Sequence, residues 1–383
     1  MFKRYDLVII NRSFWPIYPV LGEGLLRLAE SLASSKKVAV IIQDHENIKK
    51  HLKKSKRGLG VKFFPAWAFT NSTSSLVKRI LDTFFFMLWV LVCLTITRPK
   101  NIYVSTDPPV LVPFIVAIFS RIMKIKYIYH LQDIHPEATN VVSKINSYLL
   151  RFLKIIDNFT IRNASSLIVL NDEMKMEIIN RSNTKKEILI IENPSIPLKN
   201  IPTFEKKKGF SFTGNLGRVQ RVPLLIDAIN KYEQMGGLLK FAFVGGGIFS
   251  DQINKLCKDN SLVDYYGFVS SDQAAIISTT YEWALLPIED QITRYAFPSK
   301  ISSYVCSGAK ILAICSKNTS VAKWIQFNQA GIVINPSVNE VVDTFFKIEN
   351  NDIDNTFIDL NRKELKKRFH MDRFVENVKS KIL

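Results

Sequence analysis

Apolar residues along this chain fall into short unbroken runs, separated by longer stretches in which they recur every three or four positions. The runs within Asp6–Asn11, Val38–Ile42, Asn101–Ser105, Lys126–Leu131, Ser166–Leu170 and Ile188–Ile191 read as buried strands. Between the first two, Leu25, Leu28 and Leu32 share one face of a predicted helix. The loop ahead of that helix contains Pro16, Pro19, Gly22 and Gly24. Strands without polar interruption, alternating with helices, predict a parallel sheet covered on both faces.

The pattern breaks near Asn193, where Pro194, Pro197 and Pro202 precede Lys206-Lys207-Lys208, and this stretch is read as a linker. It then restarts with strands at Phe210–Phe212, Lys240–Val244, Asp264–Tyr266, Trp283–Leu286, Lys310–Ile314 and Gly331–Ile334. Helices are expected at Val222–Met235 and Ser250–Asp259, and a charged amphipathic helical region at Arg362–Leu383. The resulting division is a first α/β lobe over residues 1–195, a second over 196–365 and a C-terminal helix over 366–383. Ligands of such sheets sit beyond the carboxyl ends of the strands.

Composition changes this picture in two ways. The net charge of +18 is uneven, with residues 1–200 carrying +14 and the remainder +4, so the first lobe either solvates itself with lysine or meets an anionic partner. The basic run Lys49, Lys50, Lys53, Lys54, Lys56 and Arg57 lies in that lobe, as does the nearly charge-free segment Phe84–Ile96. That segment is shorter than the ~20 residues of a transmembrane helix, which favours a core helix, then a monotopic contact with one leaflet, over a true span. No nucleic-acid-binding motif is present, so an anionic lipid surface is the expected partner. The four cysteines show no metal or disulfide spacing, and Leu7–Ile10 is too short for a signal-peptide core; both features predict a reducing, cytoplasmic setting.

Candidate chemistry lies at strand ends. Pro298-Ser299-Lys300-Ile301-Ser302-Ser303 opens a helix that Gly308 stops. Lys300 and Ser303 share one face, and free amides with a lysine suit an anion. The same residues also make an ordinary capped helix, and the pattern alone leaves both open. Gly214-Asn215-Leu216-Gly217-Arg218, with Arg221, follows a strand, and its glycines and arginines suit close approach to a diphosphate. Gly245 in a second glycine run, and Gly22-Glu23-Gly24, are weaker signals of the same kind. His130, Asp133, His135 and Glu137 crowd one strand end, where they can supply an acid, a base or hydrogen bonds to sugar hydroxyls. The Asp352-Ile353-Asp354 stretch reads as a solvated loop, and no metal site is expected.

Taken in order, these motifs resemble glycosyltransferase family 4, retaining enzymes of the two-lobe GT-B fold, and in particular bacterial enzymes of O-antigen, capsule and colanic-acid-like synthesis. Ser105-Thr106-Asp107-Pro108-Pro109 is similar to the family's "spp" turn and Asp133-Ile134-His135-Pro136-Glu137 to its D-L-W-P-E motif. Gly214-Asn215-Leu216-Gly217 matches G-N-[IL]-G, and Pro298-Ser299-Lys300-Ile301 matches P-S-K-[IL]. The resemblance implies two Rossmann-like lobes facing across a cleft, with the nucleotide-sugar donor on the second lobe and a lipid-linked oligosaccharide acceptor on the first. It also implies work at the inner face of the plasma membrane and no cofactor. On that basis Gly214, Asn215, Arg218, Arg221, Gly245, Pro298, Ser299, Lys300 and Ser303 would meet the donor, His130, Asp133, His135 and Glu137 the reacting groups, and Gly22, Glu23 and Gly24 the acceptor. The chain departs from the family at Asn215 and Gln220, where an Arg and a Lys are usual, and at Tyr295 and Ser303, where a glutamate pair is usual. Those departures keep an epimerase of the same fold, or a silent scaffold subunit, in view.

Overall fold

The computed structural model describes residues 4–70, 76–196, 205–353, 358 and 360–382. Pro197, Pro202 and Asp354 of the stretches named above lie outside these residues. The chain divides into two compact units, Met1–Asn193 with Asp372–Leu383, and Pro194–Met371. The division therefore falls beside Asn193, and the final helix, Met371–Ile382, belongs almost wholly with the first unit.

The first unit holds β1 (Leu7–Ile10), β2 (Val38–Asp44), β3 (Val61–Trp67), β4 (Asn101–Ser105), β5 (Lys126–His130), β6 (Ser166–Val169) and β7 (Glu187–Ile190). All seven are parallel, in the order β3-β2-β1-β4-β5-β6-β7. In register, Ile9 lies between Val40 and Tyr103, so the direction of winding reverses between β1 and β4. The edge strand β3 was not foreseen. Only Ala66 of its residues is fully buried, so Lys62 and Pro65 interrupt the apolar run that identifies inner strands.

One face of this sheet, with Leu7, Ile9, Val40 and Ile42, packs on Leu25, Leu28 and Leu32, on Ile48 and Leu52, and on Phe374 and Val378 of the final helix. The basic run lies on this side, because Ile48 and Leu52 anchor its helix, Ile48–Ser55. Helices Leu76–Thr97, Leu111–Met123 and Ser147–Asn163, each packed on the next, lie on the other face, where the usual right-handed crossover would put them. The lysine run and the apolar segment Phe84–Ile96 thus occupy opposite faces of the sheet.

The second unit holds β8 (Lys207–Thr213), β9 (Lys240–Val244), β10 (Val263–Tyr265), β11 (Tyr281–Pro287), β12 (Lys310–Ile314) and β13 (Gly331–Ile334). They form a parallel sheet in the order β10-β9-β8-β11-β12-β13, with its reversal between β8 and β11. Its core is aromatic: Phe210 stacks on Phe241 at 5.1 Å, and Tyr232 and Phe345 close over them. The two parallel α/β sheets expected from the sequence are present.

Candidate functional site

In each sheet the strand order reverses where two loops separate, which is where ligands of doubly wound folds bind. In the second unit these loops follow β8 and β11. Gly214 continues β8 at a φ of +115°, a conformation that favours glycine. Its amide donates to Val244 O at 2.9 Å, and Leu216 N donates to Gly246 O at 2.9 Å. A Cβ on Gly245 would lie 2.0 Å from Gly214 O. Gly245, expected against the donor, makes this backbone-on-backbone contact.

The helix after β11, Lys300–Ser307, is held to the sheet by Tyr304. Its buried hydroxyl accepts from Thr213 N at 3.0 Å and reaches Leu285 O at 3.3 Å. One turn earlier on the same side, the Lys300 ammonium lies 4.1 Å from the centre of the Phe212 ring. It is also 3.5 Å from the position a Cβ on Gly214 would occupy. This nitrogen is buried and has no hydrogen-bond partner among the described residues. Burial pulls its pKa down to about 7. A cation held in this way is poised for an anion. Gly308 ends the helix in the left-handed conformation, as expected, while Pro298 precedes the helix by two residues and offers its carbonyl to Ile301 N at 3.2 Å.

Arg221 has a different role from the one the sequence suggested. Its guanidinium donates to Ile288 O at 2.8 Å and to Asp290 at 3.1 Å, and pairs with Glu289 at 3.1 Å. Asp290 also accepts from the amide and hydroxyl of Ser316. Burial opposes the charge of Asp290, but the hydrogen bonds from Ser316 and Arg221 hold its pKa below the ordinary value. Arg221 therefore ties the β8 loop to the β11 loop, and its charge is already matched. Asn215, Arg218 and Ser299 are exposed, and Ser303 is half-buried. Gln220 Oε1 accepts from Gly217 N at 3.2 Å within the loop. Tyr304 and Asp290 escaped sequence reasoning; the only signal was that Tyr304 follows Lys300 by one helical turn.

In the first unit the corresponding loops follow β1 and β4. Arg12 Nε lies 3.1 Å from Asp107 Oδ1, and Ser13 N donates to Asp107 Oδ2 at 2.7 Å. Thr106 Oγ1 accepts from Gln132 N at 3.0 Å, which carries the β5 loop alongside. There Asp133 remains 47% exposed at its side chain. Partial loss of solvation, with the Asp107 carboxylate second, pushes its pKa up to about 6. His135 Nε2 lies 3.9 Å from Asp133 Oδ2 and its Nδ1 is 2.8 Å from Thr139 Oγ1. Burial pulls this imidazole down to about 4, so it is neutral at pH 7. Asp133 and His135 thus stay together at the strand ends, joined by Arg12 and Asp107, which sequence reasoning had not assigned.

The remaining expected groups are structural. His130 is buried inside the first unit between Tyr103 Oη on Nδ1 and Gln132 on Nε2, beside the ring of Phe374. Burial drops its pKa to about 3, so it stays neutral at pH 7. Glu137 is buried against Arg181 at 2.7 Å and Lys154 at 3.3 Å. Arg181 also pairs with the buried Asp157 and donates to His135 O at 2.9 Å. Gly22, Glu23 and Gly24 are not a loop but the first turn of helix Leu21–Ala33. A Cβ on Gly22 would lie 2.6 Å from Trp15 N, and Glu23 is buried between Arg27 at 2.7 Å and Arg57 at 3.2 Å.

No family model matches the chain. A probable glycosyltransferase, WbjE of Pseudomonas aeruginosa, is 23% identical over 261 residues, and the match spans 64% of each chain. Sucrose-phosphate synthase from Thermosynechococcus elongatus superposes with a TM-score of 0.71 at 12% identity, covering 98% of both chains. Anabaena HepE in complex with UDP superposes with a TM-score of 0.67 at 15% identity, covering 98% of this chain and 99% of that one. Likeness at that identity establishes the fold: the chain is of the GT-B class.

Proposed function

We propose that the chain is a glycosyltransferase that moves a sugar from a nucleoside diphosphate-sugar to a lipid-linked glycan in bacterial surface polysaccharide synthesis, with retention at the anomeric carbon. The observation that carries this reading is the buried ammonium of Lys300, without a hydrogen-bond partner among the described residues, beside Gly214 at the switch point of the second sheet. The donor diphosphate lies there, against Lys300 and the first amides of its helix. As the glycosidic bond to the sugar breaks, negative charge grows on the departing diphosphate and the ammonium stabilises it. This reading needs no metal, and activity is expected to persist in chelator. Asp133 and His135 meet the acceptor on the first unit, where Thr106 holds their loop through Gln132 N. The likeness to WbjE and to HepE, the latter solved with UDP, supports the reading.

The test is acceptor-dependent release of a nucleoside diphosphate. Donors are screened first by thermal stabilisation, since a ligand that binds only the folded state raises its stability. Release of UDP or GDP only with a lipid-linked acceptor supports transfer. Conversion of the donor without acceptor assigns an epimerase, and failure to bind any nucleotide leaves a scaffold.

A further inference from the structure

In the second sheet the strands part unevenly at their carboxyl ends. β8 stays paired with β9 through Thr213 opposite Val244, and β11 stays paired with β12 through Pro287 opposite Ile314. β8 and β11 separate from each other sooner, their last register pair being Ser211 opposite Ala284. Successive amides of a strand point to opposite sides. Gly214 N donates to Val244 O of β9, so Thr213 N faces β11, where continued register would give it Leu285 O.

The hydroxyl of Tyr304 stands in that place. It accepts from Thr213 N at 3.0 Å, and its one proton can go to Leu285 O at 3.3 Å or to Thr213 O at 3.4 Å. The side chain is fully buried, and burial pushes the phenol up to about 12, so that proton is present at pH 7. One ladder bond is thus replaced by two bonds through an inserted oxygen, which holds the strand ends further apart. Donor groups lie on both sides of this bridge. Phe212 and Gly214 flank Thr213 in the chain, and Lys300 precedes Tyr304 by one turn on the same side of its helix. The Lys300 ammonium lies 4.1 Å from the Phe212 ring and 3.5 Å from where a Cβ on Gly214 would be.

We propose that Tyr304 is a positioning residue for the donor diphosphate. Its hydroxyl wedges the ends of β8 and β11 apart and holds the Lys300 ammonium and the Gly214 backbone at a fixed spacing. The inference rests on the donor site proposed above and adds to it what sets the width of the crevice. Tyr304 is enclosed and acts through Lys300 and Gly214.

The full-length chain is titrated with UDP and with GDP in a calorimeter, at a temperature where circular dichroism shows each variant folded. Tyr304→Phe keeps the ring and removes the hydroxyl, and it lowers nucleotide affinity roughly tenfold or more. Tyr232→Phe is the matched control. Its buried hydroxyl is equally well bonded, to Glu349 Oε2 at 2.6 Å and to the amides of Leu238 and Leu239 at 3.2 and 3.1 Å, but at the amino end of β9. That variant keeps nucleotide affinity within about twofold of the wild type. Should Tyr304→Phe fail to fold, the wild type still decides: without nucleotide, the Thr213 amide exchanges its hydrogen roughly a hundredfold or more slower than an exposed amide. Exchange at the exposed rate overturns the inference. So does Tyr304→Phe binding within about twofold of the wild type, which leaves the donor site standing, and so does an equal loss in both tyrosine variants, which assigns the effect to general loosening. A wild type that binds neither nucleotide removes the donor site itself, and the inference with it.

Discussion

The ammonium of Lys300 and the ring of Phe212 are 4.1 Å apart, and the ring is the only compensation this buried cation receives among the described residues. Such a site costs stability in the empty protein and returns it when an anion binds. Lys300→Met keeps the bulk and removes the charge. The variant is expected to match or exceed the wild type in thermal stability by about 1–2 kcal/mol. It is expected to lose stabilisation by UDP or GDP and ~2–4 kcal/mol of transition-state stabilisation. Unchanged kcat/KM in the variant would remove Lys300 from the donor site.

The same lysine fixes a pH dependence. Its pKa is about 7 in the folded protein against an ordinary 10.5. Below 7 both folded and unfolded states hold the proton, and the full cost of a buried charge is present. Between 7 and 10.5 only the unfolded state holds it, so this group makes the protein more stable as pH rises. The stability advantage of Lys300→Met is therefore expected to shrink from pH 7 towards pH 10. Diphosphate affinity, which needs the charged form, is expected to fall over the same range. Melting temperatures with and without UDP across that range report both effects.

Asp133, with a pKa near 6, is expected to give an acid limb in kcat/KM, activity falling as pH drops through 6. In Asp133→Asn the limb and most of the activity disappear. Because the folded pKa is raised from 3.8, this group's stability contribution falls as pH rises from 3.8 to 6. The half-exposed carboxyl keeps that effect below about 1 kcal/mol, so the variant should unfold in urea close to the wild type at pH 7.

Arg181 neutralises the buried Asp157 and Glu137 and holds His135 O. Arg181→Met leaves the buried Asp157 without its guanidinium partner and Glu137 with Lys154, and is expected to cost ~3–5 kcal/mol in urea denaturation. Adding Asp157→Asn should recover part of that loss, because the uncompensated charge is then gone. No recovery would show that the arginine acts through packing.

Two glycines separate crowding from backbone conformation. Gly245→Ala places a Cβ 2.0 Å from Gly214 O at a φ of +117° and is expected to cost ~2–4 kcal/mol while disordering the donor loop. Gly236 has a φ of +86° with nothing within 4 Å, so Gly236→Ala should cost about 1 kcal/mol with donor binding intact. Melting curves with and without nucleotide distinguish the two.

The amino-acid order by itself determined the alternation of buried strands and helices, and with it the two parallel sheets, because burial on both faces leaves unbroken apolar runs that need no partner to be recognised. It also placed Lys300 at the start of a helix stopped by Gly308, since capping is local. The edge strand β3 was hidden because its exposed side breaks the run. Only the tertiary structure decided which charges are matched. Arg221 meets Asp290, 69 positions away, through the strand reversal between β8 and β11, whereas Lys300 meets the Phe212 ring. It likewise enclosed His130 against Tyr103 and Phe374, and it set the lysine run and the apolar helix on opposite faces of one sheet. Strand order and helix side are relations between segments far apart in the chain, and hydropathy and local spacing carry no record of them.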